Sequence, residues 1–152
     1  VQELLDAAGK YFKKLMKNRS ERIELEIESM EAKVIGDVNQ LRFLLENLID
    51  EALTVREDGV IRLQARKDNE YIRFLFTDTR REKSVEELNQ LFYPNLARMT
   101  SGEKGELRGT EYLVCKQIIR DHDEFAGRRG CRINAEPAEG GGFTVYFTIP
   151  RR

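Results

Sequence analysis

Phe74-Leu75-Phe76-Thr77-Asp78-Thr79-Arg80-Arg81-Glu82-Lys83-Ser84-Val85-Glu86-Glu87-Leu88 runs on to Leu91-Phe92-Tyr93-Pro94. Ile72, Phe74 and Phe76 alternate with more polar residues, as in a strand with one buried face. Asp78 closes that strand, where an aspartate ordinarily marks a turn. Arg80 to Lys83 reads as a solvated charged turn, although Arg80 could also meet a phosphate with its planar fork. Ser84 and Glu87 are spaced as a capping box that opens a short helix through Leu91 and Phe92.

Upstream of this stretch, Ile61, Leu63 and Ala65 alternate, and Asp68-Asn69 suits a tight turn, so 59 to 78 is expected to be a hairpin. Before it, Val38, Leu41, Leu44, Leu45, Leu48, Ile49 and Ala52 line one helical face. Asp37 and Gln40 predict a reciprocal cap at its start. Leu4, Leu5, Ala8, Tyr11, Phe12, Leu15 and Met16 give an earlier helix over 2–17. Ile23, Leu25 and Ile27 give a strand, and Val34-Ile35-Gly36 a short extended piece.

Downstream, residues 93 to 109 lose all periodicity, and 95 to 109 are expected to be a mobile loop. Helical spacing returns from Glu111 to Asp121 with Leu113, Val114, Gln117 and Ile118. Cys131, Ile133 and Ala135 then form a strand, Gly140-Gly141-Gly142 a turn, and Phe143, Val145, Phe147 and Ile149 a final strand. Grouped strands with one apolar face and separate helices predict an α+β, two-layer α/β sandwich, with a sheet covered on one face by helices. Leu41, Leu45, Leu48, Phe74, Phe76, Ile118, Val145 and Phe147 are its expected core.

Composition narrows the function. The chain has 152 residues and 40% hydrophobic content, enough for one domain with a real core. Its 26 basic and 27 acidic residues leave a net charge of −1, which offers no basic field for nucleic acid. No apolar run reaches membrane-spanning length, so no direct membrane contact is expected. Two cysteines, Cys115 and Cys131, and a single histidine exclude a disulfide framework and a His/Cys zinc cluster. Both thiols read as small buried apolar groups, which fits a reducing, cytoplasmic setting. The chain opens on Val1 rather than methionine and reads as an excised part of a longer protein.

The order of these elements and their landmarks resembles the ATP-binding domain of two-component sensor histidine kinases, whose Bergerat fold also occurs in gyrase-type topoisomerases, Hsp90 and MutL-like proteins. The resemblance runs from the first helix through Asp37 and Leu41 to the terminal Phe143-Thr-Val-Tyr-Phe-Thr-Ile-Pro150, so that one histidine-kinase-like domain fills residues 1–152. It implies a mixed sheet, ATP with Mg²⁺ as ligands, and partners in an upstream dimerisation or sensor region and a response regulator. The setting would be cytoplasmic, within a membrane-anchored sensor or outside one.

The resemblance also assigns sites and shows where this chain departs from the family. Asn47 matches the first asparagine of the helix motif Asn47-Leu48-Ile49-Asp50-Glu51-Ala52, while Glu51 replaces the magnesium-holding asparagine and Thr54 a basic residue. Glu51 is a legitimate hard-oxygen ligand for Mg²⁺, but it adds a negative charge beside a triphosphate. Both Asn47 and Glu51 read equally well as polar residues on the wet side of a helix. Asp78 stands at the adenine-reading position, and Arg80 and Glu82 stand at the two glycines after it. Those glycines let the backbone approach a ligand. In the second glycine motif Leu107, Gly109 and Glu111 occupy the glycine positions, with Arg98, Lys104 and Arg108 nearby as cations. His122 falls on a family histidine that is not the phosphoacceptor. These losses imply a degenerate domain with ATP and Mg²⁺ binding weak or lost. The alternative is an active domain that phosphorylates a histidine on an upstream helix.

Overall fold

A computed structural model describes residues 1–92, 100–101, 107–108, 111–126 and 131–152. The elements run α1 (Gln2–Met16), β1 (Ile23–Glu28), α2 (Val38–Ala52), β2 (Gly59–Asp68), β3 (Tyr71–Asp78), α3 (Val85–Gln90), β4 (Thr100–Ser101), β5 (Leu107–Arg108), α4 (Glu111–Ala126), β6 (Ile133–Pro137) and β7 (Phe143–Pro150). The main sheet has the order β1-β2-β3-β7-β6. Only β1 pairs parallel, with β2; the others are antiparallel, so the sheet is mixed. A parallel pair needs a crossover, and α2 supplies it.

The inner face of the sheet carries Ile61, Leu63, Ile72, Phe74, Phe76, Val145, Phe147 and Ile149, all buried. Opposite strand residues meet in phase: Leu63 faces Phe76, and Phe74 faces Phe147 with ring centroids 4.9 Å apart. Helices α1 and α4 pack on either side of α2, whose Leu41, Leu44, Leu45, Leu48 and Ile49 are almost wholly enclosed. Each such side chain contributes roughly 1.5–3 kcal/mol of burial. Every residue of the expected core is buried. The outer face carries Arg62, Arg66, Arg73 and Tyr146, with Arg62 paired to Glu26 at 2.9 Å. Along β1 the helical cover thins: Ile23 is buried, Leu25 partly so, and Ile27 is 38% exposed where it lies against Gly9 of α1.

Four local expectations change. The β2–β3 turn is Asn69-Glu70 rather than Asp68-Asn69, with Asp68 opposite Tyr71. Either register keeps the apolar face inward, so the choice falls to the turn, where Asn69 takes a φ of 56° that asparagine tolerates. The buried face of α4 is Tyr112, Cys115, Ile118, Ile119 and His122, while Gln117 is exposed. That helix continues past Asp121 to Ala126. β6 begins at Ile133, so Cys131 precedes the strand. Within the expected mobile loop, β4 and β5 pair antiparallel, Thr100 with Arg108 and Ser101 with Leu107, and the rest of 95 to 109 lies outside the described residues.

The Gly140-Gly141-Gly142 turn forms with φ of 87°, 111° and 83°. At Gly142 the requirement is also one of space, because a Cβ there would overlap the carbonyl oxygen of Asp78. This contact locks the end of β3 against the start of β7.

Candidate functional site: an arginine folded onto a buried aspartate

Asp78 is the last residue of β3 and points inward, opposite Ile61. Its carboxylate would be costly to bury alone. Arg80, two residues on, turns back over it: the two side chains are 1% and 4% exposed and form an ion pair at 2.9 Å. Nε donates to Asp78 Oδ1 and Nη2 to Asp78 Oδ2, each at 2.9 Å. The remaining guanidinium hydrogens go to main-chain carbonyls, Nη2 to Ala52 and Nη1 to Val55 and Glu57. A guanidinium has five N–H donors. All five are placed.

The surroundings explain why the arginine fits. Ala52 ends α2, where carbonyls carry the negative end of the helix dipole, and that last turn has no basic residue of its own. Gly59, with φ of 151°, opens β2 beside the arginine, and a Cβ there would overlap Arg80 Cγ. The solvated-turn reading therefore holds for Arg81 and Glu82, which are exposed, and fails for Arg80. Nor does Arg80 offer its guanidinium to a phosphate, since every donor is spent internally.

Asn47, on α2, is 9% exposed, and its Nδ2 donates to the Phe43 carbonyl at 2.7 Å. It is buried rather than on a wet helix side. Glu51, one turn later, is half-buried and lines a cleft of about 320 Å³ with Lys83, Glu86, Glu87, Gln90, Leu91 and Tyr112. Among the described residues these walls carry the carboxylates of Glu51, Glu86 and Glu87 and the ammonium of Lys83, which lies 5.4 Å from the Phe143 ring centroid. Glu87 also closes the expected capping box with Ser84. Among the described residues no group of three or more His, Cys, Asp or Glu is disposed to hold a metal ion. Gly109, Arg98 and Lys104 lie outside the described residues, and Arg108 enters only through the backbone of β5. The structure thus joins Asp78 to Arg80 and sets Glu51 on the neighbouring cleft.

At the far end of α2 the expected cap forms by half. Asp37 Oδ1 accepts from the amides of Asn39 and Gln40, at 2.9 and 3.2 Å. The reciprocal bond comes from His122 of α4 instead of Gln40: Asp37 N–H donates to His122 Nε2 at 3.0 Å. Nδ1 of the same ring sits 2.8 Å from the Ile118 carbonyl. These two partners require the neutral tautomer with its hydrogen on Nδ1. The helix-periodicity signal could not show this link, which spans 85 residues of sequence. Both cysteines are buried, and burial together with Asp123 pushes the Cys131 thiol up to about 11.

The family model of the histidine kinase-, DNA gyrase B- and HSP90-like ATPases matches residues 36–152. The chain belongs to that family. Among solved structures it is similar to a nucleotide-free catalytic domain of the histidine kinase ThkA, at 21% identity and a TM-score of 0.77 over 99% of this chain and 92% of that one. The mycobacterial sensor histidine kinase MprB is similar at 18% identity and a TM-score of 0.72, over 97% and 93%. A complex of ThkA with the response regulator protein TrrA matches at 19% identity and a TM-score of 0.71, over all of this chain and 40% of that one. Comparison with curated protein sequences found no match. The α+β mixed-sheet fold is that of histidine kinase catalytic domains.

Proposed function

We propose that this chain is the catalytic-type domain of a two-component sensor histidine kinase that has lost nucleotide-dependent phosphotransfer and works as a signal-transmitting module. The observation that carries this reading is the Arg80–Asp78 pair. The carboxylate that the family resemblance assigns to adenine already holds a guanidinium on both oxygens. ATP and Mg²⁺ do not fit this arrangement. An adenine would have to displace a buried ion pair, and among the described residues the cleft would set the carboxylates of Glu86 and Glu87 toward a triphosphate beside the ammonium of Lys83. At a few ångströms such charges repel by several kcal/mol in a partly buried setting. Catalysis of phosphoryl transfer consists mostly of positioning and charge neutralisation, and an Asp78 already engaged by Arg80 on both oxygens does not position an adenine.

In this reading residues 1–152 form one domain of a longer protein, joined to an upstream dimerisation or sensor region. A response regulator is a natural partner, as the complex of ThkA with TrrA is for that kinase. The near-neutral charge speaks against nucleic acid. No helix among the described residues is long and apolar enough to cross a membrane. A cytoplasmic placement fits the two buried cysteines, neither of which is in a disulfide.

Calorimetric titration of Mg·ATP into the chain tests the reading. The expected dissociation constant is high micromolar or weaker. A low-micromolar constant, lost on Asp78→Ala, would overturn it in favour of an active kinase domain. Restoring Glu51→Asn, Arg80→Gly, Glu82→Gly and Glu111→Gly together should recover affinity.

A further inference from the structure

We infer that the Asp78 carboxylate and the carbonyls of Ala52, Val55 and Glu57 form a guanidinium-binding site, which the chain fills with its own Arg80 as an intramolecular ligand. The site has the three properties that this ligand class demands. It presents a carboxylate to one edge of the fork, with both oxygens engaged at 2.9 Å. Carbonyls accept the other three hydrogens. It is enclosed, with Arg80 1% exposed under Gly59. An ammonium could satisfy the charge but not five coplanar donors.

The acceptors come from separate parts of the fold. Ala52 ends α2, Val55 and Glu57 lie in the connection to β2, and Asp78 ends β3. The Arg80 backbone amide adds a further bond to Asp78 Oδ1 at 3.0 Å. Filling the site therefore fastens the end of α2 and the α2–β2 connection to the end of β3. Arg80 is two residues from its counter-ion, so it competes with any free ligand at an effective concentration of at least the millimolar order. Occupancy then follows from the covalent chain and not from any solute level. This site and its ligand class stand whether or not the domain transfers phosphate.

The test uses Arg80→Ala in the 152-residue chain, with methylguanidinium chloride as probe and methylammonium chloride as control. Methylguanidinium at millimolar concentration should raise the melting temperature saturably; at ten times its dissociation constant it should shift the unfolding equilibrium about tenfold. Methylammonium should give no such rise, and neither cation should stabilise the unaltered chain. Adding Asp78→Ala should abolish the response. If Arg80→Ala is unfolded on its own, circular dichroism across the same titrations reads ligand-induced folding. Equal responses to the two cations, no response to methylguanidinium, or a response that survives Asp78→Ala would each overturn the inference.

Discussion

Breaking the Arg80–Asp78 pair from either side should unfold much of the domain's stability, and removing both partners together should restore most of it. Asp78→Ala leaves a guanidinium enclosed at 1% exposure with three carbonyl acceptors and no counter-charge. Arg80→Met leaves a carboxylate at 4% exposure held only by the Arg80 backbone amide. Removing one member of a buried pair costs about 3–5 kcal/mol, because the partner's charge stays buried. The double variant carries no stranded charge. It loses a donor at the carbonyls of Ala52, Val55 and Glu57, of which Glu57 is exposed and open to water. One or two such losses amount to about 1–3 kcal/mol. The two single costs should therefore exceed the double by about 3 kcal/mol or more, as a coupling free energy. Urea denaturation at constant slope measures all four species, and each single variant should melt roughly 8–16 °C lower. Single losses below about 1 kcal/mol, or a double variant equal to the sum of the singles, would refute the assignment of a buried, coupled pair.

His122→Ala should lose about 1–3 kcal/mol in denaturant titration, since it strands the Asp37 amide and opens the α2–α4 contact, and chemical-shift changes should centre on the first turn of α2. Gly142→Ala should be among the most damaging small substitutions, costing several kcal/mol by thermal melting, because its φ of 83° and the overlap with the Asp78 carbonyl act together. The Tyr11 hydroxyl is held well above the usual tyrosine range by burial, by its 2.6 Å bond to Asp50 and by the nearby carboxylates of Asp50 and Glu46. The unfolded chain releases that proton first, so this contribution to stability is present below about pH 10 and lost as pH rises beyond it. Tyr11→Phe should flatten that alkaline loss in pH-dependent melts. With its thiol pushed up to about 11, Cys131 should alkylate at pH 8 at least ~100-fold more slowly than a free thiol, a rate that mass spectrometry reads.

Much of this architecture was legible in the chain because apolar periodicity reports burial directly. Alternation at Ile61, Leu63, Phe74 and Phe76 and the α2 face from Leu41 to Ala52 needed only a sheet face and a helix face to pair, whereas Val38, expected on that face, is exposed. The Ser84–Glu87 cap formed as spaced because both halves lie within one turn of helix. Family landmarks added the sheet's mixed character and the positions of Asn47, Glu51 and Asp78. What the sequence alone determined was therefore what depends on near neighbours and on the average polarity of a face.

The tertiary structure decided everything set by distant partners. Arg80 looks like one charge among four in a polar turn, and only the approach of Ala52, Val55, Glu57 and the side-chain-free Gly59 turns that turn into an enclosed guanidinium site. Gln40 is correctly placed to close the cap on α2, yet His122, 85 residues beyond Asp37, takes that bond because α4 packs there. The turn at Asn69-Glu70 fell to a single backbone angle, since hydrophobic alternation is the same in both registers. Charge and hydrogen-bond satisfaction are properties of whatever surrounds a group after folding, and a linear pattern holds no distances.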